Sequence, residues 1–308
     1  MARVLCAERG RPMLTDTDAA RRSRIDQMVV AMSRYVADGD LLGEGIGTFL
    51  SNAAYMLARH THAPRGVSLC PNGNTLMCGP RPLSLGQDEA LTLGQALVGW
   101  DYVDVNLAVM PSAFIDGRPR WTEFMRPAQI DAYGWTNNVQ IGRDGGRRIR
   151  LPGAAGIPDA TSVSRRVFYY VPRHTTDVFV KQLDHISGVG NLRPGQSAHA
   201  HTPKTVVVVT ELCVMTSDAQ GALDVVSLHR GVTRDQVQAM TGFVLPWRLT
   251  LQETVPPTTE QIRLLNEVID PQGLRFLESL SGRDRRQRLR ALVRRDAPGQ
   301  SIKPEVRL

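Results

Sequence analysis

The sequence predicts an α/β protein built on an open, mostly parallel sheet with helices on both faces. Three observations carry this. Between Asp40 and Leu69 a short apolar strand runs into a glycine turn, a helical stretch and a second apolar strand, the order of a parallel β-α-β unit. Thr205 to Thr210 encloses four consecutive valines, too apolar for a strand with one wet face, so it belongs in mid-sheet, covered on both sides. With 308 residues, 42% of them apolar, the chain can bury a sizeable core, and 6% aromatics leave that core to Val, Leu, Ile and Ala.

The elements follow in order. Thr15-Asp16-Thr17-Asp18 offers helix-capping chemistry, and Ile25, Met28, Val29, Met32 and Val36 recur at helical spacing until Gly39. Asp40 to Gly47 is a strand entering a glycine turn. Phe49 to Arg59 is a helix with Phe49, Ala53, Met56 and Leu57 on one face, stopped by Ala63-Pro64 before the strand Val67-Ser68-Leu69. Pro80 to Gly86 reads as a loop. Trp121 to Ile130 and Trp135 to Ile141 are strands around a tight turn, Asp131-Ala132-Tyr133-Gly134. Arg143 to Arg148 is exposed, and Leu151 to Ile157 is a loop of small residues. Strands are expected at Val167–Val171, Val178–Gln182 and Thr205–Thr210. Helices are expected at Thr233–Met240, which opens on a Thr cap, and at Thr258–Ile269, which follows Pro256-Pro257 and ends at Asp270-Pro271-Gln272-Gly273. The simplest organisation is a leader over 1–15, one α/β domain over 16–281 and a basic tail over 282–308.

Charge and cysteine usage exclude several classes. The net charge is +7, but Gly282 to Leu308 holds eight Arg, one Lys and three acids, so the remaining residues carry about +1. Nucleic-acid binding would need stacking aromatics or a known module beside the charge, and neither is present. The tail reads as a solvated helix or frayed end, with docking of an acidic partner as the alternative. No stretch nears the ~20 uncharged apolar residues of a membrane span, and Met1 to Thr15 has no apolar signal region. Cys6, Cys70, Cys78 and Cys213 form no CxxC pair, which argues against a zinc site or a disulfide framework and for reduced thiols in the cytoplasm.

Two glycine loops are candidate ligand sites. Gly45-Ile46-Gly47 lies between strand and helix, where Gly45 and Gly47 let a ligand approach backbone amides at a helix N-terminus; such turns serve packing as well. It does not match the dinucleotide fingerprint, since Leu50 stands three residues after Gly47. In Pro152-Gly153-Ala154-Ala155-Gly156 the amides of Gly153, Ala154 and Gly156 can stabilise an oxyanion, or the loop packs closely against a strand.

Ala128-Gln129-Ile130-Asp131-Ala132-Tyr133-Gly134-Trp135-Thr136-Asn137 resembles the "AQID-x-YG-x-x-N" signature of the β-type subunit of class I CoA transferases, glutaconate CoA-transferase included. Val178-Phe179-Val180 through Ser187-Gly188-Val189-Gly190 is similar to that family's "VFV…D-x-x-SG-x-G" stretch. Val206 to Leu212, Leu228-His229-Arg230-Gly231-Val232-Thr233, Met240-Thr241-Gly242-Phe243 and Ile269-Asp270-Pro271 match its C-terminal third in order. The resemblance spans roughly residues 20 to 275. It implies a CoA-transferase-like fold, an α-type partner chain in an expected α2β2 assembly, and an active site between the two chains. It further implies coenzyme A arriving as part of an acyl-CoA substrate, with no permanently bound cofactor.

One departure matters. Such transferases carry a nucleophilic glutamate after the strand that follows the Ala-Pro helix end, and here that slot holds Pro71, within Cys70-Pro71-Asn72-Gly73. Proline has no nucleophile, so ordinary transfer through this chain is disfavoured. Two branches of the family lack the glutamate: ring-cleaving hydrolases, whose α-type partner supplies it, and decarboxylases with a cysteine in its place. A one-residue shift would bring Cys70 into the slot. As the end of a buried strand it reads equally as an apolar filler, since no cation lies nearby in sequence. Asn72 and Gly73 are candidate substrate contacts; Asn137 either orders the site or caps its turn. A silent subunit that only supports its partner is the rival reading. His60 and His62 suit helix-end capping, His185 is a weaker acid–base candidate, and His199 and His201 lack further metal ligands, so no metal site is expected.

Overall fold

The computed structural model describes residues 18–45, 47–70, 75–77, 79–85, 98–99, 120–142, 146, 148–197 and 203–296. Helix α1 (Asp18–Ser33) buries Ile25, Met28, Val29 and Met32. It stops short of Gly39, because Tyr35 and Val36 bond back to Met32 and Ser33 in turns, and Gly39 then redirects the chain with φ +82°. The expected unit follows: β1 (Leu41–Gly43), α2 (Phe49–Thr61) and β2 (Val67–Cys70), with β1 and β2 parallel and Gly43 opposite Leu69. Antiparallel β3 (Thr75–Met77) and β4 (Val98–Gly99) extend this sheet on one side, and parallel β5 (Trp121–Thr122) on the other.

The stretch expected as one strand from Trp121 to Ile130 is broken in three: β5, β6 (Phe124–Met125) and β7 (Gln129–Ile130). The break at Glu123 is what joins the molecule. Thr122 still pairs with β1, whereas Phe124 pairs with Phe168 of β11 (Arg166–Val171), so one chain segment serves two sheets. Between them, β7 and β8 (Thr136–Asn137) form a hairpin, β9 (Gln140–Ile141) and β10 (Ile149–Arg150) a second small ladder, and α3 (Ile157–Val163) a short helix. No strand forms at Val178–Gln182; Phe179 makes only an isolated bridge to Ile130, because the 175–178 turn curls the chain before it can extend.

The second sheet runs in the order β15 (Trp247–Glu253), β14 (Leu223–Leu228), β13 (Cys213–Ser217), β12 (Thr205–Thr210), β11, β6. The four valines of β12 behave as their sequence requires. Val206 and Val208 enter one core cluster, Val207 and Val209 the other, all at most 4% exposed. Each such side chain contributes roughly 1.5–3 kcal/mol relative to exposure. Helices α1 and α2 cover one face; α3 and α4 (Arg234–Ala239) cover the other. Thr233 caps α4 through a capping box. Helix α5 (Thr259–Arg263) is shorter than expected, since Leu264–Ile269 widens into a π-helix when the Asp270 amide bonds Leu265 five residues back. As far as Asp296 the basic segment forms α6 (Gly282–Asp296), whose Leu292 is 2% exposed within the core.

Candidate active site

Parallel strands carry their ligand sites at their carboxyl ends. Here that edge presents Glu44 and Gly45 after β1, Cys70 at the end of β2, Glu123 after β5, Arg126 after β6 and His174 beyond β11. The Leu151–Ile157 loop hangs over the same edge. The Gly153 amide donates to the Asn138 carbonyl, and Asn138 Nδ2 donates to the Arg126 carbonyl at 2.8 Å. The amides of Ala154, Ala155 and Gly156 have no acceptor among the described residues. Gly153 (φ +122°) and Ala155 (φ +46°) both take the left-handed region, and for the alanine that is an uncommon conformation. The Gly153 amide is thus committed to the loop, and Ala154 to Gly156 are the ones left to face a ligand.

The other expected ligand residues fare differently. Asn72, Gly73 and Pro71 lie outside the described residues, as do Ile46, Cys6, Cys78, His199 and His201, and so does the Cys70 side chain. Gly45 and Gly47 do precede a helix, but the amide of Leu50 at that helix start donates to the buried carboxylate of Glu278 at 2.8 Å. The same carboxylate accepts from Tyr170 at 2.8 Å and pairs with Arg126 at 3.1 Å. An internal anion therefore occupies the helix terminus expected to meet a ligand. Asn137 is fully buried: its Nδ2 donates to Gln129 Oε1 and the Gln140 carbonyl, and its Oδ1 accepts from the Val139 and Gln140 amides. Of the two roles expected for it, ordering the site or capping its turn, these hydrogen bonds are those of the cap.

The AQID motif proves to be the construction of this hairpin. Asp131 Oδ1 accepts from the Tyr133 and Trp135 amides, and Arg193 pairs with its other oxygen at 2.7 Å. Gly190 packs so closely that a Cβ there would lie 2.3 Å from the Tyr133 carbonyl, and one on Gly188 would lie 2.2 Å from Thr136 Oγ1. The Ser-Gly-x-Gly stretch is thereby a bed for the hairpin.

Among the described residues every buried carboxylate is matched with an arginine. Asp26, Asp40, Glu44, Asp131, Glu211, Asp224, Asp270 and Glu278 each have a guanidinium within 4 Å. His174 is buried, stacked on Phe179 and bonded to Thr210 and Thr241, and burial lowers its pKa to about 3. His229, quoted above only within the Leu228-to-Thr233 stretch, is likewise buried and held at about 4 by that burial, against its bond to the Thr210 carbonyl. Burial raises the Cys213 thiol to about 12. These are neutral core groups. His62 bonds the Val36 carbonyl, and His185 is exposed. Among the described residues no group of His, Cys, Asp and Glu is placed to hold a metal, and no helix is long and apolar enough to cross a membrane.

A mixed, centrally parallel sheet whose carboxyl edge meets a small-residue loop through Asn138 and the Arg126 carbonyl defines an α/β protein with an edge of the kind that carries ligands. No family model matches the chain. It is 30% identical over 247 residues to the β subunit of 3-oxoadipate CoA-transferase from Pseudomonas knackmussii, covering 78% of this chain and 90% of that protein. It is 31% identical over 218 residues to the cholesterol ring-cleaving hydrolase IpdB subunit of Rhodococcus jostii, covering 64% of this chain and 81% of that one. Among solved structures, the decarboxylase AibA/AibB superposes with a TM-score of 0.68 at 23% identity, over 82% of this chain and 96% of its own. The chain belongs to the family of β-type CoA-transferase subunits.

Proposed function

We propose that this chain is the β-type half of a heteromeric enzyme that breaks a carbon–carbon bond in an acyl-CoA thioester, by hydrolysis or by decarboxylation. The carrying observation is Pro71, which stands where the resembling transferases have their nucleophilic glutamate. A carboxylate that forms covalent intermediates is not replaced by positioning alone, so an α-type partner supplies the catalytic carboxylate in this reading. Relatives named for ring cleavage and for transfer are both subunits by name, which supports a partner. The amides of Ala154 to Gly156 polarise the thioester or keto oxygen, and Asn72, Gly73 and Cys70 line the pocket. Coenzyme A enters with the substrate, and a cytoplasmic site of action fits four cysteines that form no CxxC pair in the sequence.

The test is co-expression with an α-type partner, followed by assays of CO2 release, carbon–carbon hydrolysis and CoA exchange on 3-oxoadipyl-CoA, glutaconyl-CoA and a cyclic-ketone CoA thioester. Bond cleavage without exchange supports the proposal. Robust exchange that survives Cys70→Ala and is lost in Pro71→Ala sinks it. A second reading, transfer through a relocated nucleophile, is favoured by the transferase relative and by the position of Glu44, which the fold brings level with Cys70. Loss of exchange in Glu44→Gln, with the complex intact, would select it. A complex that forms normally yet ignores mutation at Ala154, Asn72 and Cys70 would mark a silent subunit.

A further inference from the structure

Glu123 differs from the buried carboxylates. Eight buried acids have an arginine within 4 Å, whereas Glu123 has no cation among the described residues and one donor there, Trp121 Nε1 at 3.2 Å. It stands at the gap between β5 and β6, the hinge that joins the two sheets and part of the carboxyl edge. It lies on the strand face shared with Trp121 and Met125, the face that also carries Leu69. Room for it is made by Gly43 of β1: a Cβ there would fall 2.9 Å from Glu123 Cβ and 2.6 Å from the Trp121 ring. The side chain is half-buried, so solvent or substrate still reaches it.

We propose that Glu123 is the proton donor of this subunit, acting from its neutral carboxylic acid form. The inference rests on the carbon–carbon cleavage reading above. In either version of that reaction the bond breaks with its electron pair left on carbon, as CO2 departs or as water, giving one proton to the partner's carboxylate, adds its hydroxyl to the ketone carbon. That carbanion must take a proton. Glu123 gives it, becomes the carboxylate, and regains a proton from solvent before the next turnover. An acid kept neutral near neutrality needs what is seen: no cation to hold it ionised, and a setting that disfavours charge. Burial raises the Glu123 carboxyl above its ordinary value, with the Trp121 N–H opposing weakly. The titratable groups facing it do not reverse this. Tyr55 of α2, whose hydroxyl accepts from the Phe124 amide, is itself pushed up, first of all by burial, and so stays neutral, and Glu44 is matched by Arg81.

The test uses the α/β complex and the cleaved CoA thioester identified by the assays above. Glu123→Gln is expected to lower kcat by roughly 100-fold or more with KM little changed, and to abolish the fall in rate at high pH that marks a required acid. Trp121→Phe, which removes the indole donor to the carboxylate, is expected to move that fall to higher pH. A high-pH fall that persists unmoved in Glu123→Gln overturns the proposal, whatever happens to kcat. A complex that cleaves none of the three thioesters fails the functional reading instead. The acid itself can then be checked without substrate, by following the Trp121 indole N–H resonance against pH. A midpoint in the ordinary carboxylate range, or one unchanged in Glu123→Gln, overturns the assignment.

Discussion

Glu44 and Cys70 end neighbouring parallel strands at the same level, with the Glu44 amide donating to the carbonyl of Leu69 at 2.9 Å. A whole helix separates them in sequence. The carboxylate brought there is 1% exposed and tied to Arg81, itself 10% exposed. Removing the cation strands a buried charge, so Arg81→Ala should cost about 3–5 kcal/mol. The double variant Glu44→Leu/Arg81→Met should recover most of that. Urea denaturation of the three proteins decides it; equal midpoints would mean the pair is not a buried one.

Asn137 predicts a purely structural phenotype. Asn137→Ala removes four hydrogen bonds, to Gln129 Oε1, the Gln140 carbonyl and the Val139 and Gln140 amides, and takes from the Val139 amide its acceptor. The expected cost is about 2–4 kcal/mol. At a temperature where the variant stays folded, KM for the CoA thioester should be unchanged, because the side chain has no surface to offer a ligand.

Two buried histidines set an acid limit on stability. The ring pKa of His174 is near 3 and that of His229 near 4, both held down by burial from the ordinary 6.5. Their neutral forms stabilise the fold fully above pH 6.5. As pH falls below that, the unfolded chain takes up protons that the folded rings refuse, so stability drops down to about 4 for His229 and about 3 for His174. The slope is up to about 1.4 kcal/mol per pH unit for each ring. Urea midpoints measured from about pH 7.5 to about pH 4.5 should fall, and fall less steeply in His174→Gln.

Cys213 should be silent toward thiol reagents. Its thiol is buried and raised to about 12, so almost none is thiolate at neutral pH. Iodoacetamide at about pH 8 should leave the Cys213 peptide unmodified in the folded protein and label it after denaturation, as read by mass spectrometry. Labelling in the folded state at the rate of a free thiol would contradict the packing of β13.

Sequence alone determined what depends on neighbours along the chain. The β-α-β unit, the doubly covered valine strand, the Thr-capped α4 and the Asp131 turn all follow from periodicity and local hydrogen bonding, and they formed at or near their expected bounds. The family itself was legible from the order of its motifs. Tertiary structure decided what depends on distant partners. It placed Glu278 on the helix start after Gly45 and Gly47, enclosed Asn137 in its own turn, and widened the helix at Leu264. It also set Glu44 beside Cys70 and left Glu123, over the bare backbone of Gly43, without a cation among the described residues. A carboxylate's role depends on which charge the fold delivers to it, and in this chain, the Asp270–Arg275 pair apart, those arginines come from more than twenty residues along the sequence.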